Sequence, residues 1–154
     1  MIRPIAPEDK PQLVDGLRRA SPETVYRRFL VPKRSFSAAE LRYLTEVDGH
    51  DHIALVAIDA RDGGMIAIGR CVRTAPDTAE MAIVVDDPWQ GRGLGRRLAT
   101  LLAEAAAGEG IERISGTMLA GNRRAMRLMR GLGTRIELDE ISHGVREAVA
   151  RLAA

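Results

Sequence analysis

The sequence predicts an α/β domain with a mixed, largely antiparallel central sheet and helices on both faces. Three observations carry that reading. Capped amphipathic segments and short β-suitable runs share the chain, and the runs 53–58 and 65–73 are joined by Asp62-Gly63-Gly64, as in an antiparallel hairpin. The apolar run Met81-Ala82-Ile83-Val84-Val85 then leads through Gly91, Gly93 and Gly95 into an Ala/Leu-rich segment up to Ala107, the order of strand, tight loop and helix.

Residues 7–20 place Leu13, Val14 and Leu17 at helical spacing, closed by Arg18-Arg19. Ser21 caps a second helix with Pro22 at its first position and Glu23 in its first turn; Val25, Phe29 and Tyr26 form its inward stripe. Ser37-Ala38-Ala39-Glu40 is a capping box ahead of Leu41, Tyr43 and Leu44. After the hairpin, Pro76-Asp77 turns the chain into a strand over 78–85. Gly108 and Gly110 end the long helix that starts near Gly93; a strand over 111–119, a helix over 122–132 and a short strand over 135–138 follow. The stretch 142–154, with Arg146-Glu147-Ala148-Val149-Ala150-Arg151-Leu152, has helical composition.

A chain of 154 residues, 45% hydrophobic and 29% charged, suits one globular domain over 1–154. No apolar stretch approaches the ~20 residues of a membrane span, and the N-terminus carries no secretory signal pattern, so no membrane association and a cytoplasmic location are expected. The single cysteine, Cys71, excludes an intrachain disulfide. With 23 basic and 21 acidic side chains, the net charge of +2 gives no footing for nucleic acid as a partner. His50, His52 and His143 lack ligand spacing with cysteines or acids, so no metal is expected.

The glycines after the 81–85 run let backbone curl tightly and approach a ligand, and the helix that follows directs free N–H groups and its positive dipole end there. Such a place binds an anion, most naturally a pyrophosphate. A Walker loop would need Lys-Ser/Thr where Arg96-Arg97 stands, and a dinucleotide fingerprint would need a third glycine where Leu98 stands.

With its glutamine, the stretch Gln90-Gly91-Arg92-Gly93-Leu94-Gly95 resembles the Q-x-x-G-x-G loop of the GNAT acetyltransferase superfamily. Asn122-Arg123-Arg124-Ala125-Met126-Arg127-Leu128 resembles that superfamily's second motif, N-x-x-A-x-x-L, one strand and one helix further on. Ile2-Arg3-Pro4-Ile5 with Glu8-Asp9 looks like its opening strand and helix, so the resemblance covers roughly 1–138. The segments 21–29 and 41–48 look most like the acetyltransferase domain of bacterial protein-lysine acetyltransferases.

The resemblance implies a GNAT fold and transfer of an acetyl group from acetyl-CoA to a primary amine, a protein lysine before a small amine, by direct attack in a ternary complex. It makes Glu80 the general base, because an ammonium ion has no lone pair and a carboxylate at a strand end can relay its proton. Outside this context a strand glutamate reads as a solvent-facing side chain. Residues 90–96 would hold the pyrophosphate: Gln90, Gly91, Arg92, Gly93, Leu94, Gly95 and Arg96. Backbone groups of Ile83, Val84 and Val85 would pair with the pantetheine arm, and Asn122 would bond that arm or cap its helix. Arg123, Arg127 and Arg130 share a helical face that meets either the 3′-phosphate or solvent. Asp86 and Asp87 read as turn formers, since an acid repels a pyrophosphate.

Two departures stand out. Met129 occupies the place where many superfamily members carry a tyrosine acid, which leaves open a non-catalytic acetyl-CoA sensor as the alternative to an enzyme. The superfamily closes with a hairpin, whereas 139–154 reads as an atypical tail: either a short irregular strand or a segment that packs on another subunit, as in a homodimer.

Overall fold

The structure, a computed structural model, describes residues 1–152. In chain order it runs β1 (Ile2–Pro4), α1 (Lys10–Arg19), α2 (Pro22–Phe29), α3 (Ala38–Thr45), β2 (His52–Ile58), β3 (Met65–Ala75), β4 (Thr78–Val85), α4 (Leu94–Gly108), β5 (Arg113–Leu119), α5 (Arg123–Leu132), β6 (Gly133–Leu138) and β7 (Val145–Leu152). One seven-stranded sheet has the order β1-β2-β3-β4-β5-β7-β6, antiparallel throughout except for β4 beside β5. The mixed, largely antiparallel sheet flanked by helices on both faces is the fold the sequence predicts.

Local signals seat the first three helices. Ser21 Oγ accepts from the Thr24 N–H, and Ser37 and Glu40 complete a reciprocal capping box. Helices α1 and α3 cover one face of the sheet, where Leu13 packs with Ala54, Val56, Ile58 and Met65, and with partly buried Leu41 and Leu44. Tyr26 and Tyr43 do not join that core; both are exposed. Helices α4 and α5 cover the other face, where Leu102, Ala106 and Met129 pack on Ile53, Cys71, Met81 and Ile114. Strand β2 is therefore buried on both faces, which is why it reads as an unbroken apolar run. Helix α4 lies close on β3 because position 69 is glycine: a Cβ there would sit 2.7 Å from Leu102 Cδ1.

The C-terminal expectation needs correcting. Residues 145–152 are strand β7, inserted between β5 and β6 and paired with β5 from Arg113↔Arg151 to Leu119↔Val145. His143 and Gly144, both at positive φ, turn the chain back on β6, so the closing hairpin is present and the helical reading of the tail gives way to it. Alanine, arginine and glutamate favour helix intrinsically, but Ala148 and Ala150, both fully buried, alternate toward the core, and sheet pairing outweighs propensity. Positions 153 and 154 of that tail lie outside the described residues.

Candidate active site

The sheet opens at its centre. Strands β4 and β5 pair only at Thr78↔Arg113, Ala79↔Ile114 and Glu80↔Ser115, although β4 continues to Val85 and β5 to Leu119. On its other edge β4 stays paired with β3 as far as Ala67↔Val85. Past Glu80, the β5-facing edge of β4 is left without a strand partner, and unmade backbone hydrogen bonds of this kind are available to an extended ligand. A cleft of about 620 Å³ fills the gap, walled by β4 from Glu80 to Val85, by Gly116–Met118 of β5, and by α2, α4 and α5.

The glycine loop and α4 close one end of this cleft. Gly91 and Gly93 have φ of 76° and 84°, in the left-handed region that favours glycine, and no side chain caps α4 at Gly93. The first N–H groups of a fifteen-residue helix thus face the cleft without an internal partner. Gly91, Gly93, Leu94, Gly95 and Arg96 line it, as do Ile83, Val84, Val85, Gln90 and Asn122. Arg92 does not; its guanidinium stacks 5.0 Å from the ring centre of Trp89, a residue of the cleft wall. The Asn122 carboxamide oxygen caps α5 by accepting from the Ala125 N–H at 3.1 Å.

Gln90 is committed to the protein. Its Nε2 donates to Val85 O at 2.9 Å and is within reach of Thr24 Oγ1 and Asp87 Oδ1, while its Oε1 accepts from Arg124 at 2.8 Å. Asp87 is more than a turn former: it accepts from the Ser21 N–H, the Ser21 hydroxyl and the Thr24 hydroxyl, and these bonds hold its carboxyl below the usual range. Asp86 pairs with Arg19 at 3.0 Å, yet burial pushes its carboxyl up.

Glu80 sits at the apex where β4 and β5 part, exposed to the cleft, with buried Ser115 beside it in register. Arg28, which the sequence reading passed over, lines the same cleft from α2. Burial pushes its guanidinium down and the Glu80 carboxylate pulls it partly back. Among the described residues Arg28 has no ion-pair partner, and its guanidinium lies 4.8 Å from the Phe29 ring centre. A helical-period count from Val25 would have placed Arg28 on the inward side of α2.

Met129 is buried and lines the cleft against Gly116, whose added Cβ would lie 3.1 Å from the Met129 sulfur. Cys71 is buried in β3, and burial pushes its thiol up to about 12, out of reach of thiolate chemistry at neutral pH. Beside the cleft, Arg123, Arg127, Arg130 and Arg146 line a basic hollow of about 310 Å³. No group of three or more His, Cys, Asp or Glu among the described residues converges as a metal site, and no described helix is long and apolar enough to cross a membrane.

Residues 14–134 match the model of the acetyltransferase (GNAT) family. The acetyltransferase Pat of Mycolicibacterium smegmatis is 36% identical over 134 residues, which is 86% of this chain and 40% of that protein. An acetyltransferase of Pseudomonas aeruginosa is 30% identical over 136 residues, 86% of this chain and 73% of that protein. This chain therefore spans less than half the length of the mycobacterial relative. Among solved structures, the GNAT domain of PAT from S. lividans superposes with a TM-score of 0.87 at 31% identity, over 98% of this chain and 89% of that one. A family model over most of the chain, two homologous acetyltransferases and the shared fold agree that this chain belongs to the GNAT acetyltransferase family.

Proposed function

We propose that the chain transfers an acetyl group from acetyl-CoA to a primary amine by direct attack in a ternary complex. The observation that carries this reading is the loss of β4–β5 pairing just past Glu80, which leaves an unpaired strand edge running from a carboxylate to an uncapped helix N-terminus. That edge suits the pantetheine arm as an added strand at Ile83, Val84 and Val85, and the N–H groups of Gly91 and of Gly93 to Arg96 suit a pyrophosphate. The 3′-phosphate falls to the arginines of the neighbouring basic hollow.

Glu80 takes the proton of the acceptor ammonium, directly or through one water, and the neutral nitrogen attacks the thioester carbonyl carbon. Backbone N–H groups of the open β4 edge stabilise the charge that develops on the carbonyl oxygen. The C–S bond breaks and CoA leaves as the thiolate; Met129 has no proton to give. A protein lysine is the preferred acceptor, on the likeness to proteins named Pat and PAT and on the segments 21–29 and 41–48.

Calorimetric titration with acetyl-CoA tests the site. Gly93→Asn and Gly93→Asp share size, and Asn tolerates the left-handed conformation, so their difference isolates charge. A carboxylate about 5 Å from a phosphate charge costs roughly 3 kcal/mol at an effective dielectric of about 20, so the Asp variant binds about 100-fold more weakly than the Asn variant. A folded wild type that does not bind acetyl-CoA overturns the reading. Glu80→Gln lowers kcat at neutral pH by about 10²- to 10⁴-fold while acetyl-CoA binding persists; unchanged turnover removes Glu80 as the base, and binding without turnover on any amine leaves a sensor.

A further inference from the structure

A second cavity, with a free volume of about 80 Å³, lies beneath α2 on the sheet face covered by α1 and α3. It adjoins the candidate active site, because Thr24, Arg28, Phe29, Ala82 and Val84 wall both spaces. Its lining is mostly aliphatic and aromatic, including Leu13, Leu17, Val25 and Phe36, and it includes two arginines, Arg28 and Arg70.

The placement of Arg70 follows from register. In β3 it pairs with Ala82 of β4 and Ala54 of β2, so it shares the face of Ala82, Val84 and Glu80. It is only 5% exposed, yet just one of its nitrogens is spoken for: Nη1 donates to Leu44 O at 3.0 Å and to His52 Nε2 at 2.9 Å. Nε and Nη2 have no acceptor among the described residues. Burial, then the like charge of Arg28, push Arg70 down to about 10. Asp86, the acid in the lining, is occupied by Arg19 at 3.0 Å.

Two neighbouring cations in a mostly apolar cavity, with donors unspent and no carboxylate paired to either, form a site complementary to an anion small enough to enter. The cavity is several water-sized groups in volume, with apolar walls along its length. We infer that it is a carboxylate subsite of the acyl-transfer cleft: a short aliphatic arm ending in a carboxylate, carried on the acyl donor or on the amine acceptor, passes between α2 and β4 and is received by Arg28 and Arg70. This rests on the acyl-transfer reading of the cleft, and the arm takes no part in the chemistry. The amine nitrogen still bonds to the thioester carbonyl carbon, the C–S bond breaks, CoA leaves with the electron pair, and the amine proton passes to Glu80.

Two pairs of probes of equal chain length distinguish the sources. On the donor side, succinyl-CoA is compared with butyryl-CoA on one amine acceptor; on the acceptor side, 6-aminohexanoate is compared with hexylamine, with acetyl-CoA as donor. The expected result is a preference of at least about tenfold for the carboxylate member of one pair in kcat/KM. Arg28→Gln removes it and Arg28→Lys restores part of it, while both variants keep the wild-type circular dichroism and melting cooperativity. Calorimetric titration of the two donors without acceptor gives the donor ratio as binding constants, so a protein that binds but does not turn over still answers for the donor arm. No carboxylate preference in either pair, or one that Arg28→Gln leaves intact, overturns the subsite while acetyl transfer stands. Failure to bind any acyl-CoA overturns the acyl-transfer reading itself, and the subsite with it.

Discussion

His52 and Arg70 give a pH dependence of stability with a definite sign. His52 is only 8% exposed, its Nε2 accepts from Arg70, and Tyr43 lies over its ring at 4.9 Å between centres. Burial first, and the Arg70 charge second, push its imidazole down to about 4. In the unfolded chain it titrates near 6.5, so below that pH the unfolded state binds the proton that the folded state refuses. Its contribution is therefore complete above about pH 6.5 and is lost as pH falls toward 4. Integrated between pH 7 and pH 5, the loss is about 2 kcal/mol, or roughly 4–8 °C in melting temperature for a chain of this size. His50 acts in the opposite sense, since Glu109 raises it and its contribution is present below the unfolded value and lost as pH rises. Carboxylates held low, such as Asp9 and Asp87, keep theirs until pH falls below their unfolded values. His52→Gln leaves an acceptor for Arg70 and removes the titration, so urea unfolding of both proteins at the two pH values isolates His52 as a difference of differences. Parallel losses in the two proteins, or a His52 ring that titrates at its ordinary value by NMR in the folded state, would refute the argument.

Gly69→Ala drives a methyl into Leu102 and Ile83 and should cost about 1–3 kcal/mol by denaturant unfolding, with α4 displaced from β3. Asp87→Ala leaves Ser21 and Thr24 without their shared acceptor and should cost about 1–3 kcal/mol, read as lost stability together with weaker acetyl-CoA binding by calorimetry. The Cys71 thiol should react with a disulfide reagent only at the rate of unfolding, so fast labelling of the native protein would contradict its burial. With methionine at position 129, kcat/KM should show no alkaline fall beyond the one set by the acceptor amine's own deprotonation; a descending limb near pH 10 that stays in place when an acceptor of different pKa is used would reveal a tyrosine acid elsewhere.

The parts legible in the sequence are those decided by neighbours in the chain. Ser21 and Ser37 cap the helices they announce, the Asp62-Gly63-Gly64 turn joins β2 to β3, and glycines at 91 and 93 take the backbone that only glycine adopts easily. What escaped depends on distant pairing. The tail reads as helix because alanine and arginine favour it, and only β5 and β6 on either side make it a strand. The parting of β4 from β5 is a property of two strands 35 residues apart in register, and neither run alone shows where pairing stops. The burial of Arg70 depends on α1, α2 and α3 being laid over its strand, which the run 65–73 does not announce.

Gln90 shows why a binding motif can be legible while the work of its first residue is not. An open strand edge beside a helix N-terminus would tend to close or wander unless its walls were tied together. Gln90 ties three of them: its Nε2 reaches the end of β4 at Val85 and α2 at Thr24, and its Oε1 takes the guanidinium of Arg124 from α5. Glutamate has no N–H for Val85 O and would place a second carboxylate beside Asp87, so the two jobs of donor and acceptor select the amide. Glutamine at this place is explained by the mouth of the cleft it braces, before any ligand enters.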